Sequence, residues 1–154
     1  MLSQAERNQI IDLINREVVP AIGCTEPIAV ALCTARAAET LGGEPEKITV
    51  RLSANILKNA MGVGIPGTGM IGLPIAVALG ALVGRSEYQL EVLRDVTPEA
   101  VERGRRMIDG RRIAICLKED ADEKLYIEAE AEAAGHRAVA VIAGGHTSFV
   151  LVSR

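Results

Sequence analysis

Apolar residues recur along the chain at two different periods, and the switches between those periods mark out its elements. Ile10, Ile11, Leu13, Ile14 and Val18 form one face of a helix that opens on the capping pair Ser3 and Glu6 and ends at Pro20. A second helix starts at Thr25 or Glu26, because Pro27 suits a first turn, and runs through Ile28, Val30, Leu32 and Ala35 to a stop at Gly42 and Gly43. It is apolar on most sides, which predicts burial. From Lys47 to Ala54 the period drops to two: Ile48, Val50 and Leu52 alternate with Thr49, Arg51 and Ser53, the pattern of a half-buried strand. A glycine-rich loop follows, from Asn55 to Gly72. The uncharged run from Gly72 to Val83 is long enough for a helix, and Pro74 fits it only in the first turn. Another helix is capped by Thr97, with Pro98 at its first position and Glu99 in its first turn, and closes at Asp109 and Gly110.

From Arg112 onwards the chain reads as a meander. Arg112 to Leu117 is a strand and Lys118 to Glu123 a charged turn. Leu125, Ile127, Ala129 and Ala131 then alternate with Tyr126, Glu128, Glu130 and Glu132. Gly135 and the Gly144-Gly145 pair set off two more strands, Arg137 to Ala143 and Thr147 to Ser153. The sum is an α+β fold, a two-layer sandwich with helices packed on one face of a mostly antiparallel sheet. No internal repeat or linker-like stretch divides it, so residues 1–154 read as a single domain.

Composition narrows the picture. The 154 residues are 49% apolar but include only three aromatic side chains, so the core must be built from Ala, Val, Ile and Leu in thin layers. A net charge of −3 with no basic stripe excludes nucleic acid as a partner. The N-terminus lacks the layout of a signal peptide, which predicts a cytoplasmic protein. Residues 60–84 carry no charge over a length that could span a bilayer, but the glycines crowding the first half of that run would leave backbone groups unpaired in lipid. No membrane partner is expected. The three cysteines, Cys24, Cys33 and Cys116, fit neither a disulfide framework nor a zinc pattern and read as reduced thiols.

Three places could carry chemistry. Cys24, in Gly23-Cys24-Thr25-Glu26-Pro27, stands just ahead of a helix N-terminus, where the dipole and free N–H groups favour its thiolate; the plain alternative is a small buried thiol before a cap. Cys33, in mid-helix, and Cys116, in mid-strand, read as core packing. The glycine-rich loop lets backbone approach a ligand closely, and the helix after it offers N–H groups to a carboxylate or phosphate, with Asn55, Lys58 and Asn59 close in sequence. A tight structural connector would also be rich in glycine, although the near absence of charge favours a cleft lining. Gly62, Gly64 and Gly67 match a dinucleotide fingerprint literally, but no strand abuts the first glycine and Pro66 interrupts the turn. The third place is Gly144-Gly145-His146-Thr147, a tight turn expected to expose an imidazole and a hydroxyl. A lone turn histidine is more often plain surface, and His136 reads as surface too. No hydrolytic triad is present, and Lys58 is the one lysine in a plausible pocket.

Ala21 to Ala31 (AIGCTEPIAVA), Lys58 to Met70 (KNAMGVGIPGTGM) and Gly144 to Thr147 (GGHT), in that order, resemble the N-terminal portion of the L-cysteine desulfidase family, iron–sulfur relatives of bacterial L-serine dehydratase. The resemblance implies a lyase that converts L-cysteine to pyruvate, ammonia and hydrogen sulfide, with a four-iron, four-sulfur cluster as Lewis acid. It implies that three cluster cysteines belong to a largely helical C-terminal domain or subunit, so that this chain alone is inactive. Cys24 matches the remaining cysteine, as metal ligand or as the base for the Cα proton. His146 is the further catalytic candidate. The substrate, L-cysteine or L-serine, would be held by Thr25, Glu26, Gly67, Thr68, Gly69 and Thr147, with Asn55, Lys58 and Asn59 nearby. A homodimer is expected. The alternative is a non-catalytic small-molecule-binding or regulatory module related to the serine dehydratase β domain.

Overall fold

A computed structural model describes residues 25–60, 64–65, 70–119 and 124–154. The helix expected from Ser3 to Pro20 lies outside the described residues, as does most of the charged turn after Lys118.

Helix α1 (Thr25–Leu41) begins where the acidic first turn predicts and ends at Gly42, whose φ of +91° suits a residue without a Cβ. Strand β1 (Lys47–Leu52) follows, then helix α2 (Ala54–Ala60), the two-residue strands β2 (Gly64–Ile65) and β3 (Met70–Ile71), and helix α3 (Leu73–Val83). A 3-10 segment (Ser86–Glu91) leads to α4 (Pro98–Asp109), where the Thr97 hydroxyl accepts a hydrogen bond from the Ala100 amide at 3.1 Å and so caps the helix. Strands β4 (Ile113–Leu117), β5 (Tyr126–Ala133), β6 (His136–Ala143) and β7 (Phe149–Ser153) complete the order.

Two sequence expectations are corrected. Residues 55–60, read as the start of a loop, form most of α2, because Ile56 and Ala60 at a spacing of four give it one buried face. The C-terminal strands are not one continuous meander. The sheet order is β4-β1-β5-β6-β7, with β1 and β4 parallel and the other neighbours antiparallel. Only β5, β6 and β7 meander. Parallel partners need a long crossover, and α2, α3 and α4 supply it between β1 and β4.

Pairing aligns the inward positions in rows. Ile48 faces Ala131 and Ala131 faces Ala138, Val50 joins Ala129 and Ala140, and Leu52 joins Ile127 and Ile142, all buried. Helix α1 lies on β5 and β6, and α3 is wedged between α1 and α4. The opposite face of the sheet carries charge: Arg51 bridges Glu128 at 2.7 Å and Glu130 at 3.1 Å. The fold is therefore α+β with its helices against the apolar face of a mostly antiparallel sheet.

Small residues set the helix spacing. A Cβ added to Gly80 would stand 2.4 Å from the Ala31 carbonyl oxygen, and one added to Gly84 would stand 2.9 Å from the Ala35 Cβ. Helix α3 is buried on nearly all sides, yet its 11 residues span only about 16 Å, half a bilayer core. Among the described residues, no helix is long and apolar enough to cross a membrane.

Candidate functional site

Two hairpin strands and one helix start converge on a carboxylate–imidazole pair. After β6 the chain turns through Gly144, whose φ of +82° favours glycine, and the Gly144 amide donates to the Leu125 carbonyl at 3.1 Å. The Ser148 amide donates to Gly145 O at 3.0 Å and the Ala143 amide to Ser148 O at 3.1 Å, which closes the turn around His146. So pinned, the imidazole folds back towards the first turn of α1. His146 Nε2 lies 3.7 Å from Glu26 Oε1. The Glu26 side chain is 18% exposed and that of His146 35%, but the Nε2 atom itself is covered and has no hydrogen-bond partner among the described residues.

At 3.7 Å the contact is too long for a hydrogen bond and within reach of an ion pair. The start of α1 is a favourable place for the Glu26 carboxylate, because the helix dipole is positive there. A carboxylate against an imidazole can fix the orientation of the ring, and an imidazole so held is a candidate proton carrier. A covered ring nitrogen without a partner among the described residues is uncommon and marks the position for scrutiny.

The structure therefore joins two residues that the sequence had assigned separately. His146, expected to be displayed by its turn, has its Nε2 turned inward. Glu26, expected to hold substrate, points its Oε1 at the ring. Spacing could not reveal the pair because long-range hydrogen bonding, not local period, brings residues so distant in sequence together. Thr147 is exposed and lines an open groove of about 680 Å³ with Arg36, Ser86 and Phe149, a groove to which neither Glu26 nor His146 contributes. Asn55, Lys58 and Asn59 are exposed on α2. Cys24, Gly67, Thr68 and Gly69 lie outside the described residues, as does the side chain of Thr25.

Of the two remaining cysteines, Cys33 does not suit an iron–sulfur cluster. Cys33 is fully buried and its thiol donates to Ala140 O at 3.1 Å and Ile127 O at 3.6 Å. Burial pushes that thiol up to about 12, outweighing the backbone hydrogen bonds that lower it, so the thiolate a metal needs is disfavoured. Cys116 is exposed, which corrects its reading as core: it pairs with Arg51 across β1 and β4 and so shares the charged outer face of the sheet. His136 is exposed, as expected.

Fold and site together define an α+β domain that sets a carboxylate against an imidazole at the start of its first described helix. In sequence the chain is similar to UPF0597 proteins. That of Bacteroides fragilis is 72% identical over 153 residues, covering 99% of this chain and 36% of the relative. That of Bacteroides thetaiotaomicron is 73% identical over 150 residues, covering 97% and 35%, and that of Porphyromonas gingivalis is 48% identical over 149, covering 97% and 34%. The chain thus spans about a third of the length of these relatives. No protein-family model and no solved structure matches it.

Proposed function

We propose that this chain is the N-terminal, Cys24-bearing portion of a cytoplasmic, dimeric lyase that eliminates hydrogen sulfide from L-cysteine, with L-serine as the competing substrate. One observation carries the reading: two of the three segments that resemble the desulfidases, far apart in sequence, meet in space through Glu26 and His146.

In this reading His146, held by the Glu26 carboxylate, is the proton carrier to the departing sulfur. Loss of the Cα proton and of the Cβ–S bond leaves an aminoacrylate; its tautomer takes up water and releases pyruvate and ammonia, so that cysteine and water become pyruvate, ammonia and hydrogen sulfide. Cys24 remains the candidate base or metal ligand. Cys33 does not fit a cluster, so no step is assigned to one here, and the resemblance implies that the other thiolates come from the remainder of the longer protein.

The test uses the full-length protein, prepared anaerobically, with sulfide and pyruvate measured from L-cysteine and from L-serine. His146→Asn should lower kcat by about 10²- to 10⁴-fold, the usual loss for a proton-transfer group. Cys24→Ala should abolish turnover. If both variants release sulfide at the parent rate, the roles given to His146 and Cys24 fail; if the parent itself releases neither sulfide nor pyruvate from either substrate, the lyase reading fails and a binding module takes its place.

A further inference from the structure

Strand β7 closes one side of the sheet and, apart from a one-residue bulge at Val150, lacks the devices that keep a sheet edge solitary. Phe149 to Ser153 contains no charge and no proline, the two residue classes that usually blunt an edge. Instead Val150 at the bulge is 60% exposed, and Leu151 and Val152 after it, on opposite faces, are 50% and 37% exposed. On the outer face Leu151 pairs with Val141; on the helix side Val152 and Phe149 continue into the groove that Arg36 and Ser86 line from α1 and the 3-10 segment. Apolar surface therefore flanks backbone groups that are unpaired among the described residues on both sides of one strand, the arrangement into which an extended segment inserts by strand addition.

What would cover it is set by the length of the relatives. Close to two thirds of each relative lies outside the part this chain matches. We infer that β7 receives an extended segment from that remaining portion, added as one further strand with apolar side chains on both faces. The inference does not rest on the lyase reading, since the same docking would serve any activity.

The experiment co-expresses this chain with the portion of the Bacteroides fragilis relative outside the matched region. The two should purify together, and in the complex the amides of Phe149 to Ser153 should exchange with deuterium as slowly as those of central strand β5. Leu151→Glu with Val152→Glu should cut recovery of the complex by about tenfold or more, equivalent to about 1.4 kcal/mol. Leu117→Glu, an exposed apolar position on the opposite edge strand β4, should leave it intact. The exchange measurement needs no variant, so misfolding of the double substitution cannot mask the answer. Failure to purify together, fast exchange in β7 within the complex, recovery untouched by the β7 substitutions, or a β7-to-β7 pair of two copies of this chain would each overturn the inference.

Discussion

Cys33 shows how burial decides the chemistry of a single side chain. Its thiol is enclosed between α1 and the sheet, where it satisfies itself by donating to backbone carbonyls of β5 and β6. With the group pushed up to about 12, only about one thiol in ten thousand is ionised at pH 8, and reactivity follows the ionised form. A thiol reagent at pH 8 should therefore modify Cys116 promptly and Cys33 only after denaturation, as peptide mass mapping would show. Equal labelling of both in the native protein would contradict the packing described. The placement of Cys33 in the core was legible from its apolar helix. That of Cys116 was legible in principle, since Ile113, Ile115 and Leu117 alternate with Ala114 and Cys116 and only one set can face the helices. The partnership of Glu26 and His146 left no such local trace.

Among the elements, the pairing of α1 with α3 depends on atoms that are absent. Gly80 and Gly84 on one side and Ala31 and Ala35 on the other, each pair spaced by four, let the two backbones approach more closely than larger residues would. Gly80→Ala gains about 1 kcal/mol of helix propensity. It also drives a Cβ to 2.4 Å from a backbone oxygen that no rotamer change can relieve, and overpacking of that kind costs about 1 to 3 kcal/mol. The clash should win, so denaturant titration should show net destabilisation by Gly80→Ala. Gly43→Ala, where an added Cβ meets nothing within 4 Å, should stay within about 0.5 kcal/mol of the parent. Unchanged stability in Gly80→Ala would mean the helices are farther apart than described. The sequence announced α1, α3 and α4 through their periods and caps. It concealed α2, whose seven residues run into the glycine-rich segment and whose one buried face is set by only two side chains.

Across the whole molecule, the two faces of the sheet divide the energetics. The helix side is closed by aliphatic burial, while on the other side Arg51, Glu128, Glu130, Tyr126 and Arg137 form one charged network: the Tyr126 hydroxyl donates to Glu128 at 2.8 Å and Arg137 lies 3.4 Å from Glu130. Partial burial pushes the Glu130 carboxyl up, but the Arg51 hydrogen bond and the charges of Arg137 and Arg51 outweigh it and hold the group below its ordinary value of 4.5. A carboxyl lowered by folding stabilises the native state above its unfolded value, and that contribution disappears as the pH falls through the folded value. Thermal midpoints should therefore drop on acidification below about pH 4.5, and Glu130→Gln should flatten that acid limb while costing about 1 kcal/mol near neutrality. An acid limb identical in parent and variant would remove Glu130 from the account.

Local order along the chain was enough to determine the α+β class, most helix and strand positions and the faces that β1 and β5 bury. Period, caps and glycine stops act between residues a few positions apart, and each reports on its own segment. Tertiary structure alone decided that β4 joins β1 in parallel and that Glu26 meets His146. Both result from closing long loops, where the winning partner is the one whose pairing buries the most apolar surface and satisfies the most backbone groups at once. No short window of sequence contains that comparison, because it is made among all the segments together.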